Sequence, residues 1–224
     1  EITCAILNEK DIQEDKAANA ISNNFRNSSV AIENAITGRS NILAAKSGLL
    51  MINEAKINKF NNISENITIA SLNNYLKVEK GDMIATIKII SFSITSSNLK
   101  RISNLNLKNA LKILPFNKNR CGLILTQGSK ENKKLNDISK SRIRDRLEKI
   151  NHELVTTLKC KHNAVEISNK IKLFKKNKID LILILGSSAI VDIKDEIPSA
   201  IKQSGGKIIR FGMPVDPGNL LLIG

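Results

Sequence analysis

Tryptophan is missing from the 224 residues, tyrosine occurs once, and aromatic side chains make up 3% of the chain. A protein so poor in rings has no stacking platform for single-stranded nucleic acid. Cysteine occurs three times, at Cys4, Cys121 and Cys160. An odd number with no C-x-x-C pair excludes a disulfide scaffold and reads as reduced, buried thiols in a cytoplasmic protein. Two histidines, His152 and His162, are too few for a clustered metal site, even with Cys160 beside His162. With 4 prolines and 11 glycines the chain is neither collagen-like nor low-complexity. The most apolar stretch, 179–191, is broken by Asp180 and by Gly186-Ser187-Ser188. It falls short of the ~20 residues a membrane-spanning helix needs, so no membrane partner is expected. No signal peptide, Walker A loop or G-x-G-x-x-G turn is present.

Acidic residues are scarce as well, 21 against 35 Lys plus Arg, which leaves a net charge of +14. Such an excess invites a nucleic-acid reading. The basic residues are dispersed, however, and the chain is equally rich in Ile and Asn. Lys, Ile and Asn share AT-rich codons, so the charge reads mainly as codon bias, and nucleic acid is the lesser expectation. With 42% apolar residues the chain can bury a core of ordinary size. It starts at Glu1 inside a strand-like run, Ile2 to Leu7, and stops after Leu220-Leu221-Leu222-Ile223. It therefore reads as a piece of a longer protein.

The patterning divides the chain in three. Residues 1–100 read as a smaller mixed α/β region. A helix is expected over Asp11–Phe25, with Ala17, Ala18, Ile21 and Phe25 on one face, and another over Glu54–Phe60. Strands are expected at Gly48–Asn53, Ile67–Ala70 and Met83–Ile90. Residues 101–119 read as a connector with one extended piece, after the polar cluster Thr95-Ser96-Ser97-Asn98. Residues 120–224 alternate regularly. Strands at Cys121–Thr126, Glu153–Leu158, Leu181–Leu185 and Lys207–Phe211 are separated by helices over Asn132–Asn151, Ala164–Lys176 and from Asp195 to Gly205. This order predicts βαβ units and a mostly parallel sheet. The run Leu181–Leu185, apolar throughout, predicts a strand covered on both faces.

Ligands of an open parallel sheet bind beyond the carboxyl ends of its strands. Three loops qualify. The first holds Thr126 and Gly128. The second is Gly186-Ser187-Ser188-Ala189, whose small residues let N–H groups and hydroxyls approach an anion. Asp195 follows as an N-cap and Pro198 fits the first helical turn. Asp192 and Asp195 bring carboxylates suited to a phosphate-bound Mg²⁺. A plain tight turn, with Asp195 only a cap, is the alternative on these residues alone. The third loop, Gly212 to Asn219, is stiffened by Pro214 and Pro217 and presents Asp216 and Asn219. No Ser/His/Asp set is expected, because neither histidine is placed at a strand end.

These loops carry a resemblance. Gly186-Ser187-Ser188-Ala189-Ile190-Val191-Asp192, then Asp195-Glu196-Ile197-Pro198, and the run Phe211-Gly212-Met213-Pro214-Val215-Asp216-Pro217-Gly218-Asn219-Leu220-Leu221 resemble the molybdopterin-binding domain of molybdenum cofactor biosynthesis (the MoaB/Mog type, also found in MoeA). They are most similar to a bacterial subgroup of that family. The first half is similar too, at Glu14–Ala18, Thr37–Asn41 and Met83–Ile90. The resemblance implies a three-layer αβα domain over 120–224. It implies that Gly186, Ser187, Ser188 and Ala189 cradle a pterin phosphate, with Thr126 and Gly128 as floor and Asp216, Pro217, Gly218 and Asn219 as facing wall. Asp195, or Asp192 in its place, is then the catalytic carboxylate, with Asp195 the ligand of Mg²⁺. The family's branches adenylylate molybdopterin with Mg-ATP or insert molybdenum into it, so a transferase is one expectation and a non-catalytic pterin carrier the other. A homo-oligomer and a following nucleotidyltransferase domain are further implications. The sequence departs at Asp216, where the molybdenum-inserting branch often has Lys.

Overall fold

The computed structural model describes residues 6–128 and 133–224. The chain is mixed α/β and forms two compact units, Glu1–Phe116 and Asn117–Gly224. The first unit is the longer of the two, not the smaller region expected.

The first unit is built from short antiparallel sheets. Its strands are β1 (Asp11–Gln13), β2 (Val30–Ile32), β3 (Arg39–Ala44), β4 (Gly48–Ile52), β5 (Ile67–Ser71), β6 (Lys77–Val78), β7 (Met83–Ile89), β8 (Ser93–Thr95) and β9 (Leu111–Leu114). Its helices are α1 (Glu14–Asn23), α2 (Glu54–Asn61) and α3 (Ser96–Ser103). One sheet has the order β2-β3-β7-β5, a second β6-β4-β9, and β1 pairs with β8. Helix α1 lays Ala17, Ala18 and Ile21 on β3 and β7. Phe25 and Phe60 meet edge to face in the core, with centroids 6.1 Å apart.

Several boundaries differ from expectation. The helix expected from Asp11 begins at Glu14, because Asp11–Gln13 is drawn into pairing with β8 and the Gln13 side chain then accepts from the Lys16 N–H as a cap. The polar cluster at 95–98 opens α3: Thr95 Oγ1 accepts from the Asn98 N–H, and Ile102 is buried one turn on. The expected connector 101–119 is largely structured, and its residues 111–114 form β9 against β4. Of the expected strand Ile2–Leu7, residues 2–5 lie outside the described residues, and Ile6 and Leu7 are exposed and not in a strand.

The second unit contains three parallel strands, β10 (Arg120–Gln127), β11 (Glu153–Lys161) and β12 (Leu181–Leu185), in the order β11-β10-β12. Helices α4 (Lys133–Glu148), α5 (Ala164–Lys176) and α6 (Glu196–Gln203) follow the strands in turn. Asp180 fixes the register at the amino ends: its carboxylate accepts from the Arg120 N–H at 2.8 Å, while its own N–H donates to Arg120 O. Strand β10 is the covered one, buried from Cys121 to Thr126. Ile124, Ile167, Ile171, Phe174, Ile197 and Ala200 form the core between β10, α5 and α6.

Two expectations fail here. Strand β12 is an edge strand and half-exposed, not covered on both faces; Leu181 and Leu185 are 37% and 39% exposed. Beside it runs an apolar groove of about 660 Å³. The expected fourth parallel strand, Lys207–Phe211, shrinks to β13 (Arg210–Phe211), which pairs antiparallel with β14 (Leu222–Ile223). The turn between them, with positive φ at Gly212 and Gly218, returns the chain at once, so a local hairpin replaces a crossover. The apolar side expected for α4 is only partly used: Leu147 is buried, whereas Leu135 and Ile138 are exposed. Cys121 and Cys160 are free and buried; Cys4 lies outside the described residues. Burial pushes both thiols up, with Asp180 adding to the effect at Cys121 and Glu166 at Cys160. Among the described residues no helix is long and apolar enough to cross a membrane.

Candidate functional site

Strand order reverses across β10. The chain steps from β10 to β11 on one side and then returns to β12 on the other. The carboxyl ends of β10 and β12 therefore lie side by side at the reversal point, the usual ligand position in such sheets. The parallel registers bring Thr126 opposite Cys160, and Leu125 opposite Leu185. The residues just past β11 and β12 consequently converge on Thr126.

Thr126 is buried and its hydroxyl is the hub. Oγ1 accepts from the Ser187 N–H at 2.8 Å and lies 3.3 Å from Leu185 O and 2.8 Å from His162 Nδ1. On its other side, His162 Nε2 lies 3.1 Å from Ser188 Oγ. The His162 N–H donates to Gln127 O at 2.9 Å, which ties the imidazole's backbone to the end of β10. Gly186 is required by close approach: a Cβ there would stand 2.7 Å from Ser188 O and 3.0 Å from Ile197 Cδ1. A Cβ on Gly128 would stand at ordinary contact distance from the Ser187 side chain, 3.8 Å from Oγ and 4.0 Å from Cβ. The backbone N–H groups of Ser188, Ala189 and Ile190 have no acceptor among the described residues.

The two carboxylates serve the loop that precedes α6. Asp195 Oδ2 accepts from the N–H groups of Val191 at 2.8 Å and Asp192 at 3.0 Å. Asp192 Oδ1 accepts from the Lys194 N–H at 2.6 Å. Asp195 thus occupies the N-cap position of α6, yet its side chain bonds backward and does not cap the helix. This corrects the capping role expected of it. Glu196 reaches across to the Ala164 N–H at the start of α5. Among the described residues, no three His, Cys, Asp or Glu side chains cluster as a metal site would require.

The backbone donors of Asp192 and Val191, with the imidazole of His162 in support, hold the Asp195 carboxyl below its ordinary range. The lowered value fixes the direction of a pH effect. The carboxylate's stabilisation of the 191–195 loop is complete above the ordinary Asp range and is lost as acid protonates the folded form. The protection factors of the Val191 and Asp192 amides, each taken relative to the intrinsic exchange rate at the same pH, should therefore fall on acidification. Asp195→Asn should exchange fast at neutral pH and lose that acid response.

Of the residues expected at the site, Thr126, Gly128, Gly186, Ser187 and Ser188 come together. Ala189 continues the loop, exposed. Asp216, Pro217, Gly218 and Asn219 form a self-contained exposed turn, closed by Met213 N–H to Asn219 O and Leu221 N–H to Gly218 O. Among the described residues no hydrogen bond joins that turn to the Gly186–Ala189 loop.

His162 is the residue that sequence reasoning missed. Strand β11 was expected to stop at Leu158 but runs to Lys161, which delivers His162 to the strand end. The period-2 series Leu154, Thr156, Leu158, Cys160 was the available signal. No protein-family model matches this chain, and no curated protein matches it.

Proposed function

We propose that the second unit binds a phosphorylated pterin, molybdopterin being the ligand that the loop resemblance names, at the carboxyl ends of β10 and β12. The observation that supports this reading best is the run of three backbone N–H groups, Ser188 to Ile190, without an acceptor among the described residues. They adjoin the hydroxyls of Ser187 and Ser188 at a strand end. Successive open N–H groups are the usual backbone means of holding a phosphate. The net charge of +14 favours the approach of such an anion.

The residues also suit a divalent ion in part. Asp195 commits Oδ2 to its own loop, and its second oxygen would be the ligand of a phosphate-bound Mg²⁺, with Asp192 adjacent. On this reading the protein serves molybdenum cofactor synthesis as a transferase that uses Mg-ATP or inserts molybdenum. A pterin carrier without catalysis is the second reading, favoured because both carboxylates are already held by loop N–H groups. Incubation with ATP, Mg²⁺ and molybdopterin separates the two: an adenylylated product belongs only to the transferase.

Binding itself is tested by calorimetry with purified molybdopterin. Wild type should bind, and Gly186→Val should bind at least tenfold more weakly, a loss of about 1.4 kcal/mol. Its side chain collides with Ser188 O and displaces the donor run. No heat of binding from the wild type would remove the reading.

A further inference from the structure

We infer that Ser188 and His162 form a nucleophile–base pair able to hydrolyse carboxylic esters with an aliphatic acyl chain. The inference stands on the side-chain geometry at the strand ends and does not depend on the pterin reading.

Proton bookkeeping selects the productive tautomer. Thr126 Oγ1 has one hydrogen and two lone pairs. It accepts from the Ser187 N–H, and Leu185 O can only accept. Giving the Thr126 proton to Leu185 O leaves the second lone pair for His162 Nδ1–H. Only this assignment satisfies all three contacts of the hydroxyl. His162 Nε2 is then unprotonated and faces the Ser188 hydroxyl at 3.1 Å. A nucleophile within hydrogen-bond reach of a base, which is itself oriented by a third group, is the general arrangement of an activated serine. Thr126 is here a positioning residue and touches no substrate.

The remaining parts of an ester hydrolase lie next to the pair. The N–H of Ala189, the residue after the nucleophile, and that of Ile190 have no acceptor among the described residues and can receive an oxyanion. Leu185 and Ile190, which flank the loop, also line the apolar groove of about 660 Å³ together with Ile184 and Ile197. The groove offers an acyl chain a place beside the reacting carbonyl.

The reaction balances without any co-reactant but water. Ser188 Oγ bonds to the carbonyl carbon as its proton passes to His162 Nε2. The carbon–oxygen bond to the alcohol breaks, and the alkoxide leaves with the proton from Nε2. Water then attacks the acyl-Ser188 ester, gives its proton to Nε2, and releases the carboxylic acid, while Ser188 Oγ recovers that proton.

The test uses the whole chain with p-nitrophenyl butyrate and p-nitrophenyl acetate, and a fluorophosphonate probe followed by peptide mass spectrometry. Wild type should hydrolyse butyrate faster than acetate and take the probe on Ser188. Ser188→Ala and His162→Ala should each lose about 10²-fold or more in kcat, the scale of general-base assistance. Thr126→Val should lower kcat with KM unchanged, and Thr126→Ser should restore it, which a purely structural role of Thr126 would not produce. Hydrolysis by Ser188→Ala at the wild-type rate overturns the proposal. So does labelling confined to another residue, or a folded wild type, judged by circular dichroism, that neither hydrolyses nor labels. Molybdopterin binding is scored separately by calorimetry, so failure of one reading leaves the other measurable.

Discussion

Phe174→Ala is expected to cost about 3–5 kcal/mol, the usual loss for emptying a buried phenylalanine site. Phe174 is 1% exposed, and its ring occupies the space where a Cβ on Gly122 of β10 would stand. A Cβ on Gly122 would stand 2.5 Å from Phe174 Cε2 and 2.7 Å from Cδ2. The reciprocal change, Gly122→Ala, should therefore cost about 1–3 kcal/mol through overpacking. The two effects are not additive, because they concern one space. In a Phe174→Ala background the methyl at residue 122 meets no ring, and Gly122→Ala should become neutral or stabilising there. Urea denaturation followed by circular dichroism gives the free energies, and amide exchange along β10 places the loss in the second unit. Additive costs would mean that the ring does not occupy the glycine's space.

The second large effect belongs to the first unit. Gly48 opens β4 where the strand meets the end of β9. A Cβ there would overlap the Leu114 carbonyl oxygen and stand 2.8 Å from both Leu114 C and Ile113 Cγ2. Backbone cannot turn aside as a side chain can, so Gly48→Ala must part β4 from β9. A loss of about 3 kcal/mol, at the upper end of overpacking costs, is expected. Gly81 is the control. It has φ +96° and nothing within 4 Å of an added Cβ. Gly81→Ala should lose only the conformational term, about 1–2 kcal/mol. Melting curves of the two variants measure the difference, and equal losses would show that the contact with Leu114 is unimportant.

The elements that could be read from the sequence are those whose burial follows one period. Helix α5 shows Ile167, Ile171 and Phe174 at helical spacing and has the expected bounds. Strand β7 and helix α2 also lie where β-branched runs and apolar spacing put them. Strands β6 and β9 are two and four residues long and owe their existence to partners far along the chain, which no local window contains. Helix α3 begins with three polar residues that equally suit a turn, and only the buried Ile102 distinguishes it.

The same contrast holds at the site. The Gly186–Ser188 loop announces itself by composition, and Thr126 by its place at a strand end. Asp195 was visible as a carboxylate before a helix, but the direction of its bonds depends on the path of residues 191–194. His162 was hidden by an error of three residues in the end of β11. The motif implies a facing wall for residues 216–219, whereas the hairpin of β13 and β14 holds them in an exposed turn of their own.

The uncovered margin of β12 sets a condition for keeping the protein in solution. Five uncharged aliphatic residues, Leu181–Leu185, present backbone groups along an open sheet edge, with no Lys or Pro in the strand to discourage another chain from adding to it. What opposes that encounter is the mutual repulsion of molecules carrying +14 each. Repulsion of this kind reaches about 10 Å at 0.1 M salt and only about 3 Å at 1 M. Ionic strength removes that repulsion, so concentrated salt should promote self-association along the strand margin, seen as a scattering mass that rises with added salt.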